Sequence, residues 1–212
     1  MKQLVRFSYI QYVNSLVLLA ATLFTAAAFS QTPGDFDLQS APGGKYTLDK
    51  THGYVTFSYS HQGYSRPWLR FRSLDATLKL NEKDIQQSTL KVSIDPSSID
   101  SGVDIFDDHL LGKNHFDVKN HSSITFEATK IEVNESKVAI TGDLTVKGNT
   151  APVTLQGSFN RGGLHFQSKK PVLGFSATTQ LKRSEWGLGY AVPFVGDMVD
   201  VVIEVEFNRV GS

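Results

Sequence analysis

Six histidines, His52, His61, His109, His115, His121 and His165, are the side chains of this sequence best suited to chemistry near neutral pH. No HExxH is present and no pair stands at a spacing that dictates a shared metal ion, so no metal site is expected. Asp107-Asp108-His109 could supply an acid/base pair, but the simpler reading is a helix carrying solvated carboxylates and one half-buried imidazole. Asp49 and His52 bracket the start of a strand, where a turn-forming aspartate is the ordinary role. His61 differs, because it continues the apolar face Val55-Phe57-Tyr59. It reads either as a satisfied core histidine or as a polar contact for a ligand head group. The chain lacks a G-x-S-x-G nucleophile turn and a phosphate-cradling glycine loop. With no Cys there is no thiol nucleophile, thiolate metal site or disulfide. No residue is assigned to catalysis, no cofactor is implied, and the expectation is a protein that is not an enzyme.

The elements that must position these residues are strands. Alternation with period 2 runs through Val55-Phe57-Tyr59, Leu74-Ala76-Leu78-Leu80, Leu90-Val92-Ile94, Ile124-Phe126-Ala128, Ile131-Val133, Val138-Ile140, Leu144-Val146, Val153-Leu155, Phe175-Ala177-Thr179-Leu181 and Val199-Val201-Ile203-Val205-Phe207. Each window puts one face toward a core and the other toward water. Turn residues break the windows at Asn81-Glu82-Lys83-Asp84, Asn134-Glu135-Ser136, Lys147-Gly148-Asn149 and Asn160-Arg161-Gly162-Gly163. Such short links join antiparallel neighbours. Only residues 104–112 read as a helix, with Ile105, Phe106, His109 and Leu110 on one side and Gly112 at its end. Residues 62–67 read as a short turn. The fold class is therefore all-β, with about eight antiparallel strands in a closed barrel or a sandwich, closure being the way to remove exposed edges.

The chain begins with a different signal. Its first fifteen residues carry Lys2 and Arg6 and no acid; residues 16–29 are uncharged and mostly apolar, and small residues follow at Ala26, Ala27, Ala28 and Ser30. A basic start, a short apolar run and a small-residue exit predict a cleaved secretory signal over residues 1–30 and hence a periplasmic protein. Residues 31–44, dense in Pro, Gly, Ser and Asp, read as a flexible leader, and residues 45–212 as the barrel domain. The whole chain balances 21 basic against 21 acidic residues, and without the first thirty the balance is 19 against 21. Such neutrality gives no drive toward nucleic-acid phosphates, so no nucleic-acid partner is expected.

Aromatic residues are plentiful, with 14 Phe, 7 Tyr and 2 Trp, many on the inward strand faces. An eight-stranded barrel is either plugged by such side chains or just wide enough for one slender ligand. In the second case the lumen is an apolar pocket with a few polar groups at its mouth. Alternation nominates Val55, Phe57, Tyr59, Phe71, Phe126, Leu144, Phe175, Val201 and Ile203 as lining residues. Leu110 and Phe116 are candidates to close one end, His61, His109 and Arg183 for head-group contacts, and Trp186 for a wall or gate. These assignments hang on register, because a slip of one residue inverts a strand.

Four groups of residues carry a family resemblance. They are Leu48-Asp49, His52, Val55, Phe57, His61, Gly63, Ser65 and Phe71; Ser98-Ile99-Asp100-Ser101-Gly102, Asp107, His109-Leu110, Phe116-Asp117-Val118 and Ile124-Thr125-Phe126; Gly142-Asp143-Leu144-Thr145-Val146, Gly148, Thr150, Pro152 and Val153; and Arg183-Ser184-Glu185-Trp186-Gly187 with Val195-Gly196-Asp197 and Val199. In these the chain resembles the YceI family of exported, lipocalin-like barrels that bind polyisoprenoids or related lipids. It departs from the usual family pattern at Leu69, Val103, Phe106, His115 and His121. The resemblance implies a closed eight-stranded barrel with one or two short helices that carries an isoprenoid or fatty-acid-like ligand. It also implies a membrane-protein donor or acceptor and leaves room for a homodimer. Two alternatives stand beside it: an enzyme acting on such a lipid through His109 with Asp107 or Asp108, and a filled barrel serving as an interaction or stress module of the cell envelope.

Overall fold

The computed structural model describes residues 35–211. The predicted secretory signal and the first part of the leader lie outside the described residues. The elements are β1 (Gly44–His61), β2 (Trp68–Phe71), β3 (Leu74–Leu80), β4 (Thr89–Ile94), β5 (Ile99–Asp100), α1 (Asp104–Leu111), β6 (Ile124–Asn134), β7 (Lys137–Val146), β8 (Asn149–Leu164), β9 (Pro171–Lys182) and β10 (Val195–Arg209). All ten strands join one antiparallel sheet in the order β10-β9-β8-β7-β6-β4-β3-β1-β2-β5, and an additional β10–β1 pairing closes it.

Ten strands make eight staves. The start of β1 pairs with β3 (Gly44↔Leu80) and its end with β2 (Val55↔Phe71), so β2 and β3 are two stretches of one broken stave. In the same way β4 pairs with β3 and the short β5 with β2. The two breaks face each other and are tied together: Arg72 N–H donates to Ser98 O, Ser73 N–H to Ser98 Oγ, and Asp95 N–H to Ser73 O, all at 2.9–3.0 Å. The closed eight-stave barrel expected of the sequence is thus present, with the β10–β1 pairing closing the wall and only the two-residue β5 paired on one side.

Alternation becomes burial most plainly along β3 and β10. In β3 the inward Leu74, Ala76, Leu78 and Leu80 are buried while Asp75 and Lys79 are exposed. In β10 the inward set runs from Val199 to Phe207. At the β7–β8 hairpin, Lys147 (φ 49°) and Gly148 (φ 76°) both take positive φ, the two-residue turn whose twist suits paired strands.

Three sequence expectations are corrected. Asn160-Arg161-Gly162-Gly163 is not a turn: β8 runs through it to Leu164 with a bulge between Phe159 and Arg161. The cause is a visitor. Phe36 pairs with Gly162, and a Cβ on Gly162 would lie 2.4 Å from the Phe36 ring, so only glycine admits it. Nor are the described residues of the leader loose. Leu38 and Ala41 are 3% and 2% exposed, the Arg161 guanidinium holds Asp35, Gln39 donates to Glu135 O, and Tyr46 Oη donates to Pro42 O at 2.6 Å. Finally, α1 appears where predicted, but Ile105 faces outward at 69% exposed and Leu110 is its buried anchor. The helix ends at Gly112 in an ordinary extended conformation, with no left-handed cap.

Candidate functional site

Inside the staves lies a cavity of about 880 Å³. Most of its walls are aliphatic and aromatic side chains from every stave, joined by α1 and by the segments after α1 and before β10. The barrel is therefore hollow, and the alternative of an interior filled by its own side chains is corrected. Large inward residues do meet at the wall: the rings of Phe57 and Phe71 lie 5.5 Å apart, Phe116 stands edge-on to Phe71 at 5.5 Å, and Phe159, Phe175 and Phe207 form a second chain. These contacts pave the wall without bridging the bore.

Every residue nominated from the sequence borders this cavity. Val55, Phe57 and Tyr59 face it from β1, Phe71 from β2, Phe126 from β6, Leu144 from β7, Phe175 from β9, and Val201 and Ile203 from β10. Leu110 and Phe116 close over one end: Phe116 N–H donates to Leu110 O at 3.0 Å, which folds the chain after α1 back onto the helix. His61 and His109 also border the cavity but are exposed, so both sit at its mouth and His61 is not a core histidine. Trp186 is a wall residue with no freedom to act as a gate, being 3% exposed with Nε1 donating to Leu144 O at 3.0 Å.

Arg183 has a different task from the head-group contact expected of it. Its guanidinium donates to the carbonyls of Gly196 (2.8 Å), Tyr190 (3.0 Å), Val195 (3.0 Å) and Leu188, so four backbone acceptors engage a group with five N–H donors. It shapes the segment between β9 and β10 rather than offering an open fork. Burial lowers its pKa, opposed by the charge of Asp197. Asp197 accepts from Ser184 N–H (2.9 Å) and Ser184 Oγ–H (2.7 Å), which makes the fourth motif a clasp around this loop. Beside it, burial raises the Tyr59 pKa and the Arg183 charge opposes the rise, so the phenol stays protonated at neutral pH.

Sequence reasoning missed several mouth and floor residues. His115 and Tyr190 meet across the opening with ring centroids 5.2 Å apart. Burial lowers the His115 pKa, and its Nδ1 is enclosed without a hydrogen-bond partner among the described residues. His115 had been visible as a departure from the family pattern, but Tyr190 and Leu188 sit in a loop with no period to flag them. At the opposite end Leu38 seals the floor, a lone apolar residue in a stretch read as leader.

The proposed acid/base pair is not assembled. Asp107 Oδ1 accepts from Ser101 N–H at 2.8 Å, anchoring the approach to α1. Among the described residues no hydrogen bond or ion pair joins His109 to Asp107 or Asp108. Asp49, likewise, organises backbone: it accepts from Thr51 N–H and Oγ1–H inside the register shift of β1 between Leu48 and Gly53. Its oxygens lie within 4.8 Å of His52 and Glu206 ligand atoms on the outer surface, where Thr51, His52 and Asn208 engage them.

Comparison with known proteins agrees with this architecture. The chain is 29% identical over 193 residues to a UPF0312 protein of Pseudomonas aeruginosa, covering 87% of this chain and 97% of that one. It is 29% identical over 174 residues to protein YceI of Escherichia coli O6:H1, covering 81% and 90%. Among solved structures it is similar to Burkholderia cenocepacia BcnA, with TM-score 0.68, 24% identity and 75% and 98% of the two chains covered. It is also similar to a polyisoprenoid binding domain from Saccharophagus degradans, with TM-score 0.63, 16% identity and coverage of 78% and 98%. The model of the YceI-like domain matches residues 46–207, from the buried Tyr46 at the floor to Phe207 on the closing strand, and with a hollow eight-stave barrel spanning that same stretch, this chain belongs to the YceI family.

Proposed function

We propose that this protein is an exported, non-catalytic carrier that holds one isoprenoid or similar amphiphilic lipid in its lumen. The observation that carries the reading is the size and chemistry of the cavity, about 880 Å³ with walls that are mainly hydrocarbon. At roughly 30 Å³ for each water-sized group, such a space takes on the order of 25 to 30 carbon atoms, or about five isoprene units. Burying each CH₂ contributes about 0.8 kcal/mol, enough for tight binding after the costs of ordering and association. Exposed His61 and His109 and the protonated Tyr59 border one end, where they can meet a head group while the tail lies toward Leu38.

Family membership and the similarity to a polyisoprenoid-binding domain support the ligand class. A basic start followed by a short apolar run supports export to the periplasm. There a carrier shields a chain that water would not tolerate and passes it between a membrane-protein donor and an acceptor. No observation favours the enzymatic alternative, since Asp107 serves the backbone of Ser101.

The test is to purify the protein from its native exported compartment without detergent, extract it with organic solvent and analyse the extract by mass spectrometry. The expected result is a recurrent prenyl or comparable long-chain lipid at close to one molecule per protein. Repeated recovery of empty protein that takes up no added polyprenol defeats the carrier reading.

A further inference from the structure

The mouth of the barrel is bordered by apolar side chains that face water. Tyr64 lies in the turn between β1 and β2 at 87% exposed, Trp68 opens β2 at 57%, and Phe194 immediately precedes β10 at 76%. Val103 caps α1 at 53%, Ile105 lies in its first turn at 69%, and Tyr190 borders the cavity itself at 57%. Topology places these residues at the same end. His61 at the end of β1 pairs with Val195 at the start of β10, β1 pairs with β2, β2 pairs with β5, and α1 follows β5. The residues therefore trace an arc over adjoining strand ends, and that arc leads into the cavity through Tyr190.

We propose that this arc is a membrane-docking rim that seats the mouth on a lipid bilayer, a proposal that rests on the carrier reading. Three features favour a bilayer over a protein partner or a second copy. Tyr and Trp, each with an apolar body and a polar tip, suit the half-wet zone at a membrane surface. The rim is continuous with a hydrocarbon-walled bore, so a lipid tail can pass from bilayer to lumen without crossing water, whereas a second copy seated there would close both bores. The arginines interleaved with it are also held in ion pairs: Arg66 pairs with Asp200, and Arg70 and Arg72 share Asp100. Docking is therefore by shallow insertion of apolar side chains, with little dependence on anionic lipid or salt.

The experiment compares the exported chain with its Tyr64→Ser/Phe194→Ser variant, whose changes lie at exposed sites outside the lumen. Flotation with phosphatidylcholine vesicles, with and without phosphatidylglycerol, measures docking. Titration with geranylgeraniol in vesicle-free buffer measures the lumen independently. The expected result is that the wild type floats with both vesicle types, that the double variant partitions about tenfold less, and that geranylgeraniol affinity stays within about twofold. Addition of vesicles should also shift tryptophan emission to the blue, and Trp68→Phe should abolish the shift, since Trp186 is already buried. Failure of the wild type to float, or flotation that the double variant retains, overturns the docking rim whatever the titration gives. Flotation that the double variant loses, in a protein that takes up no geranylgeraniol, upholds the rim and removes the carrier reading instead.

Discussion

Asp100 shows how a motif residue can serve the frame around a site rather than the site. Its Oδ2 accepts from Arg70 Nε at 2.8 Å and Arg72 Nε at 2.9 Å, while Oδ1 accepts from Gly102 N–H at 3.0 Å. Those bonds, the Arg70 one foremost, hold its pKa down to about 2. A carboxyl depressed in the folded state stabilises the fold above the pKa it has when unfolded, and that contribution disappears as protons bind. Asp100→Asn is thus expected to be less stable than wild type at pH 7, with the gap closing between about pH 4 and about pH 2, as read by urea unfolding across that range. A constant gap at all pH values contradicts the assignment. At this scale the sequence was informative about position and less so about role. Alternation put Phe57, Phe126 and Ile203 on the inner face because a stave with one wet side has period 2. It could not show that Arg183 closes on four carbonyls, two in the loop at Leu188 and Tyr190 and two at the start of β10, because periodicity marks side-chain faces and not backbone acceptors.

At the scale of elements, the segment before β1 matters more than its composition indicates. Phe36, Leu38 and Ala41 recur at no strand or helix period, so residues 31–44 read as leader, yet Leu38 borders the floor of the bore, Ala41 is buried and Phe36 pairs with β8. Gly162, which receives Phe36, looked like part of a turn for the same reason: small residues mark a bend and a close approach alike. Gly162→Ala is expected to cost about 1–3 kcal/mol by pushing Phe36 off β8. The same change should cost clearly less on a Phe36→Ala background, and hydrogen exchange should show lost protection over residues 36–41. Additive costs in that double-mutant cycle would mean that Gly162 answers to something other than the Phe36 ring. Staves such as β3 and β10, by contrast, were legible because their apolar residues recur at period 2 along the element.

For the whole molecule, the decisive property is that inward-facing side chains do not fill the space between them. Period 2 tells which residues face inward, but whether they meet depends on the barrel's girth, which no local pattern encodes. Ala177 on β9 borders the cavity and leaves room in front of it. Ala177→Trp is expected to fold with a thermal midpoint near that of wild type, because the added ring enters existing space, while abolishing saturable binding of geranylgeraniol. Retained affinity would place the ligand elsewhere. The most direct measurement is the electron density inside the barrel in a crystal of protein purified from its native compartment. A continuous tube running from the His61–His109 mouth toward Leu38, consistent with a chain of roughly five isoprene units, is the predicted result. A bore that holds only scattered solvent in such protein, and stays so after soaking with a polyprenol, would contradict the account.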